Sequence, residues 1–204
     1  MATIVIDCGI GNLWSVTSAL DYLGVNAKIS GIPSDIISAD ALILPGVGSF
    51  SAAMATLTKS GVGDALMEAV SIRKRKILGI CLGMQLFATK SSEGGVTQGL
   101  NLIPGDVSRF DDVANKIKVP HIGFNAVSQG SNSVLFRGLH NPSDFYFVHS
   151  YRMLPTSLVG CVSTCDYGEK FLAAYECENI FATQFHPEKS QTNGLRILKN
   201  FLDV

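Results

Sequence analysis

Apolar residues along the first half of the chain come in short unbroken runs separated by stretches of helical period. Thr3 to Cys8 is a buried strand, Asn12 to Leu23 a helix closed by Gly24, Val25 to Ser30 a strand and Ala41 to Leu44 another. Helical patterns over Ser51 to Lys59 and Asp64 to Arg73 lead into strand Ile77 to Ile80 and helix Leu82 to Thr89. Strands without alternation are apolar on both faces, the signature of a parallel sheet covered by helices on either side. After about residue 100 the pattern changes. Leu102 to Phe110, Ile122 to Val127, Phe145 to Met153, Val159 to Asp166, Phe171 to Cys177 and Ile180 to Phe185 read as strands, and only Gln191 to Leu202 reads as a helix, packing Leu195, Leu198 and Leu202 inward. The expected fold is α/β: a doubly wound, mostly parallel central sheet with helices on both faces, extended by mixed or antiparallel strands in the second half. No linker or repeat divides the chain, so residues 1–204 are expected to form a single domain.

With 204 residues, 47% of them hydrophobic, the chain can bury about 70% of its unfolded surface, leaving roughly 9,000 Å² exposed. Sixteen Lys and Arg against seventeen Asp and Glu give a net charge of −1, a poor match for a nucleic-acid partner. The run Arg73-Lys74-Arg75-Lys76 reads as a helix end ahead of a strand. The N-terminal segment lacks a signal-peptide pattern, and the longest uncharged stretch, Ala41 to Thr58, is broken by Pro45, Gly46 and Gly48, so no membrane span is expected. Five cysteines without a C-x-x-C pair suggest thiols in a reducing compartment, the cytoplasm, and neither a metal nor a cofactor is implied.

Three parallel strands end in glycine turns: Gly9-Ile10-Gly11-Asn12, Pro45-Gly46-Val47-Gly48 and Gly79-Ile80-Cys81-Leu82-Gly83. Ligands bind at the carboxyl edge of such sheets. Trp14 stands where a dinucleotide loop needs its third glycine, and there is no G-K-[ST] for a P-loop. The third turn has the form of a nucleophile elbow, in which a strand passes through one strained residue into a helix and glycines make room for the crossing. Cys81 at that position is expected to sit exposed at a helix N-terminus, which favours a thiolate, although a structural cysteine between packing glycines has the same pattern.

A cysteine nucleophile needs a base. His140 precedes the turn Asn141-Pro142, and His121 and His149 lie within strand patterns suited to structural or interface roles. His186 follows an apolar strand and opens His186-Pro187-Glu188. Pro187 restricts His186 to extended backbone, and residues two apart in an extended segment share a side, so Glu188 can orient the ring while its other nitrogen faces Cys81.

Gly79-Ile80-Cys81-Leu82-Gly83-Met84-Gln85 together with Gln184-Phe185-His186-Pro187-Glu188 resembles the two signature blocks of the class I, or triad-type, glutamine amidotransferases. Asp7 to Leu13, Leu44 to Phe50, Val119 to Asn125 and His186 to Ser190 are similar to one subgroup, the glutaminase subunits of imidazole glycerol phosphate synthase of histidine biosynthesis, with Phe124 where that subgroup more often has tryptophan. The resemblance implies glutamine hydrolysis through a glutamyl thioester by Cys81, His186 and Glu188. It implies an oxyanion hole from Leu82 with Val47 or Gly48, and substrate contacts at Gly46, Gln85, Glu93, Ser150 and Tyr151. It also implies a heterodimer with the cyclase (synthase) subunit, which receives the ammonia. Asn12, Ser15, Lys118, His121, Phe124 and Lys189 are the candidates for that docking face. Two other readings remain open on the residues alone: a cysteine peptidase or hydrolase on a similar sheet, and a non-catalytic binding subunit.

Overall fold

A computed structural model describes residues 2–204 except Ile10 and Thr156, and the backbone only at Asn115. Strand β1 (Thr3–Ile6) leads to helix α1 (Leu13–Tyr22), then β2 (Lys28–Ser30), α2 (Pro33–Ser38) and β3 (Ala41–Gly46). Helix α3 (Phe50–Ser60) and α4 (Val62–Met67), which runs into a π-helical turn at Glu68–Ile72, precede β4 (Lys76–Cys81) and the short α5 (Leu82–Leu86). The second half holds β5 (Lys90–Ser91), β6 (Thr97–Gln98), β7 (Asp106–Arg109), α6 (Asp112–Asn115), β8 (His121–Ser128), β9 (Ser143–His149) and β10 (Tyr151–Met153). It closes with β11 (Cys161–Asp166), β12 (Lys170–Cys177), β13 (Ile180–Thr183) and α7 (Gln191–Leu202).

Nine strands form one sheet in the order β2-β1-β3-β4-β13-β12-β11-β8-β9. From β2 through β13 every pairing is parallel, and from β13 through β9 every pairing is antiparallel. The expected doubly wound core with antiparallel strands added by the second half is therefore the observed architecture. Alternation places Ile4, Ile6, Leu42 and Leu44 in the core under α2, α3 and α4, and Val5, Ala41, Ile43, Leu78 and Ile80 in the core under α1 and α7. Both faces of these strands are buried, which is why their sequences do not alternate. The accessible surface is 8991 Å², close to the expected value. Among the described residues no helix is long and apolar enough to cross a membrane.

Local chemistry sets the ends of the elements. Asn12 caps α1 by accepting the Ser15 N–H at 3.2 Å, Pro33 opens α2, and Gly61 ends α3 in the left-handed conformation at φ 73°. Lys76 donates to the carbonyls of Phe201, Leu202 and Val204, neutralising the negative end of α7. Its neighbours in the basic run find separate acids, Arg73 with Glu68, Lys74 with Glu178 and Arg75 with Asp40.

Several boundaries differ from the sequence pattern. Helix α5 stops at Leu86 because the carbonyls of Leu86, Phe87 and Ala88 bind the backbone N–H groups of residues 100–103. That capture also keeps Leu102 and Ile103 out of β7. The run from Phe145 to Met153 breaks at Ser150: β9 pairs with β8 in the large sheet, whereas β10 pairs with β7 in a second sheet of order β10-β7-β5-β6. In α7 the deepest apolar residues are Ile197, Leu198 and Phe201, with Leu202 buried and Leu195 only half-buried.

Candidate active site

Strand β4 delivers Cys81 to the carboxyl edge of the sheet with φ 54° and ψ −108°, a conformation that L residues adopt at a cost of about 1–3 kcal/mol. The glycines around it are obligatory. A Cβ at Gly83 would strike the Leu44 carbonyl, and one at Gly79 would strike the Phe87 ring. Gly46 pairs with Cys81 in register, and a Cβ there would sit 3.0 Å from Leu82 Cβ. This is the strained elbow read from the sequence, although Cys81 is buried at 7% exposure instead of lying open, and the helix behind it has five residues.

Strand β13 runs parallel to β4 and beside it, so its exit brings His186 next to Cys81. The His186 backbone is extended (φ −96°, ψ 98°), and its N–H donates to the Tyr146 carbonyl of β9. Glu188 reaches the ring from a 3-10 turn at Pro187–Lys189 instead of from a continuing strand, and its Oε1 lies 2.7 Å from His186 Nδ1. Both side chains are almost completely buried. Burial pulls the imidazole pKa down, but the adjacent Cys81 sulfur and the Glu188 carboxylate outweigh it and raise the value to about 10. His186 Nε2 is buried with no well-aligned hydrogen-bond partner, and the Cys81 sulfur is a group whose proximity raises the pKa of the ring. The sulfur also donates to the Val148 carbonyl at 3.9 Å and accepts from Gln184 Nε2 at 3.6 Å.

Above Cys81 lies a cavity of about 320 Å³, lined by Val47, Gly48, Leu82, Gln85, Glu93, Pro120, Val148, His149, Ser150 and Tyr151. A cysteine thiol at the floor of a pocket, a buried histidine–glutamate pair behind it and loop backbone opposite it are the arrangement that attack on a carboxamide would need. Residues 4–204 match the family model described as glutamine amidotransferase class-I.

The chain belongs to that family.

The amidotransferase is 47% identical over 197 residues to imidazole glycerol phosphate synthase subunit HisH 1 of Campylobacter jejuni, covering 96% of each chain. It is 45% identical over 199 residues to imidazole glycerol phosphate synthase hisHF, chloroplastic, of Arabidopsis thaliana, where 97% of this chain matches 33% of that protein. Its fold is that of a putative GMP synthase protein from Thermoplasma acidophilum, with a TM-score of 0.70 at 24% identity over 100% of this chain and 93% of the other.

Most residues singled out in the sequence of this amidotransferase meet at the cavity. Val47, Gly48, Leu82, Gln85, Glu93, Ser150 and Tyr151 line it beside Cys81. Gly46 does not; it is buried behind the elbow, where the lack of a side chain lets the loop approach Leu82. Glu93 accepts the Phe50 N–H at 2.7 Å, so it also caps α3. Gln85 points its Nε2 inward, to the Tyr151 carbonyl at 2.9 Å and to Gln184 Oε1 at 3.0 Å. Of the docking candidates, Asn12, Lys118, Phe124 and Lys189 are exposed and Ser15 is half-buried. His121 is not a surface residue. It is 3% exposed, stacked on Tyr167 and Phe147 and bonded to His149, because β8 turns that side toward the aromatic core.

Sequence reasoning passed over Pro120, Val148 and His149 as wall residues, and Gln184 at the sulfur. For Gln184 a signal existed: a lone carboxamide between the buried residues Thr183 and Phe185.

Proposed function

We propose that this amidotransferase is the glutaminase subunit of an imidazole glycerol phosphate synthase, releasing ammonia from L-glutamine and passing it to a cyclase subunit in histidine biosynthesis. The observation that carries the reading is near-full-length similarity to a HisH subunit, in a chain whose Cys81, His186 and Glu188 stand together at the cavity.

In this reading the Cys81 thiol gives its proton to His186 and the resulting thiolate attacks the side-chain carboxamide carbon of glutamine. Leu82 N–H and an N–H of Val47 or Gly48 hold the oxyanion, each such donor contributing about 2.7–4 kcal/mol. As the tetrahedral species collapses the C–N bond breaks, His186 gives its proton to the departing nitrogen, and a glutamyl thioester remains. Acylation removes the sulfur's charge, one of the two influences that raise the His186 pKa, so the neutral imidazole becomes available as a base. It then takes a proton from water as the hydroxide adds to the thioester carbon. The tetrahedral species collapses with cleavage of the C–S bond, which returns the Cys81 thiolate beside the His186 imidazolium and releases glutamate. Glu188 fixes the ring and stabilises the imidazolium throughout. A cavity of about 320 Å³ suits one amino acid better than a peptide, with the Glu93 carboxylate available for the α-amino group. The docking face is formed by Asn12, Ser15, Lys118, Phe124 and Lys189. Phe124 and Lys189 flank the Tyr146 ring, with Phe124 5.6 Å from it between centroids and Lys189 Nζ 5.9 Å from its centroid.

The test is Cys81→Ala, assembled with a cyclase subunit. Glutamine-driven synthesis should disappear, while synthesis from added ammonium salt should persist, because only the ammonia source is lost. Glutamine-dependent turnover within about tenfold of wild type would overturn the assignment.

A further inference from the structure

The nucleophile has a neighbour for which the triad leaves no task. Gln184 follows β13, is completely buried, and is fixed through its backbone N–H to the Ala173 carbonyl at 2.8 Å. Its carboxamide lies between Cys81 Sγ and Gln85. The orientation of that amide follows from its neighbours. The Tyr151 carbonyl can only accept, so the group Gln85 turns toward it is its NH₂, and the same NH₂ donates to Gln184. Gln184 must then present oxygen to Gln85 and N–H to the sulfur. The direction of the last hydrogen bond is dictated two links away, by a backbone carbonyl that cannot turn over.

We propose that Gln184 is a further catalytic residue of this site, the fixed hydrogen-bond donor to the Cys81 sulfur, and that Gln85 is the positioning residue that fixes its orientation. The inference rests on reading Cys81 as the nucleophile. The sulfur has two neutral neighbours of opposite kind, the Val148 carbonyl and the Gln184 N–H. A thiol can give its hydrogen to the carbonyl. Once the sulfur carries charge that oxygen repels it, whereas the N–H bond strengthens, as hydrogen bonds to ionised acceptors do. No proton moves onto or off the amide; it shifts the balance toward the reactive form and holds the sulfur as that form develops. Gln85 thereby has a task besides lining the cavity, since its Nε2 is committed inward.

The experiment measures alkylation of Cys81 in the full chain by iodoacetamide between pH 6 and 9, read by peptide mapping, for wild type, Gln184→Met, Gln184→Glu and Gln85→Met. Apart from the new carboxylate of Gln184→Glu, the titratable groups around the sulfur are the same in all four proteins: His186 with Glu188 behind it, and His149, Glu93 and Tyr151 on the cavity wall. Gln184→Met keeps the length of the side chain and removes the donor. It should slow alkylation roughly tenfold at pH 7 and move the midpoint for the Cys81–His186 pair up by about one pH unit. Gln184→Glu, whose carboxylate repels a charged sulfur, should be at least as slow. Gln85→Met, which frees the Gln184 amide to rotate, should be slowed about threefold. Glutamate release by Gln184→Met should lose kcat with KM little changed. Alkylation of Gln184→Met within about twofold of wild type across the range would overturn the proposal. Should that variant not fold, Gln85→Met decides in its place, and a wild-type rate there overturns it. Because alkylation uses no glutamine, a mistaken glutaminase reading would show separately, as no glutamate release from the wild-type protein with its cyclase.

Discussion

Two buried histidine sites lie close together, and burial acts on both in the same direction, yet they end at opposite extremes. His186 is held at about 10, whereas His121 is pushed down to about 4 and His149 to about 3. What differs is the company. His186 faces a sulfur and a carboxylate, two acceptors of positive charge. His149 meets a carbonyl and another imidazole, with His186 and Arg152 adding repulsion, inside a cluster that includes Phe110, Phe147 and Phe171. The hydrogen bonds fix the tautomers. The Tyr151 carbonyl only accepts, so His149 Nδ1 carries hydrogen and its Nε2 accepts from His121 Nδ1, 3.0 Å away. His121 Nε2 is left facing Asn125 Nδ2 at 3.4 Å. Every ring nitrogen of this pair is satisfied while both rings are neutral, and one added proton would break the chain. Burial therefore does not decide what a histidine does; the partner's charge does.

The largest effect should come from making the first site resemble the second. Glu188→Gln removes the carboxylate and leaves His186 with an amide that can misorient it, so kcat for glutamate release should fall by roughly 10²–10⁴ with KM little changed. His121→Gln alters the other site and should stay within about tenfold of wild type. If the two variants lost activity to a similar extent, the functional separation of the two sites would be wrong.

Stability against pH should separate the sites next. The His121–His149 pair has native pKa values below the unfolded value, so between pH 6.5 and about 4 the unfolded chain binds more protons, and stability is lost as pH falls. Each histidine contributes up to about 1.4 kcal/mol per pH unit. The raised pKa of His186 works in the opposite sense, its contribution being present below pH 6.5 and lost as pH rises through about 10. Urea unfolding should therefore show a loss of about 2–4 kcal/mol between pH 7 and pH 5, and His121→Gln should lose about half of that dependence. Equal wild-type stability at the two values would contradict the neutral pair.

That Cys81 and the pair His186 and Glu188 would converge was legible because the constraints on their segments are local. A glycine on each side of Cys81 and a proline after His186 are backbone requirements, and they show in the sequence wherever the fold places them. Unbroken apolar runs indicated a parallel sheet in which a strand beside the elbow strand could bring 186 to 81, but the order β3-β4-β13-β12 comes from the pairings themselves. What escaped the sequence depended on distant partners. Leu102 looks like part of a strand until the carbonyls at the end of α5 claim its segment, and Ser150 does not announce that β9 and β10 belong to different sheets. His121 was placed on the docking face because its segment was expected at the same sheet edge as the other candidates, and nothing in that position says which side of β8 meets Tyr167 and Phe147. Gln184 was overlooked because a lone carboxamide at the end of an apolar run is a weak signal until the atoms at its two ends are known.

The smallest expected effect tests whether the environment of His186 is sealed from outside charge. Lys189 follows Glu188 directly and is exposed, with its ammonium over the Tyr146 ring, and it is not among the groups that set the His186 pKa. The buried pair is shielded by protein, while Lys189 is screened by water, so a unit charge there should count for little at the ring. On the proposed docking face the same charge should matter through encounter, where a surface lysine steers an acidic partner and changes the association rate more than the chemistry. Lys189→Ala should accordingly slow association with a cyclase subunit by about three- to tenfold at low salt, a difference that shrinks as salt is raised, as measured by surface binding kinetics. The pH profile for Cys81 alkylation in the isolated chain should coincide with that of wild type. A displacement of that profile by more than about half a unit would mean that surface charge reaches the triad, and the contrast between the two histidine sites would then owe less to their immediate partners than the geometry indicates.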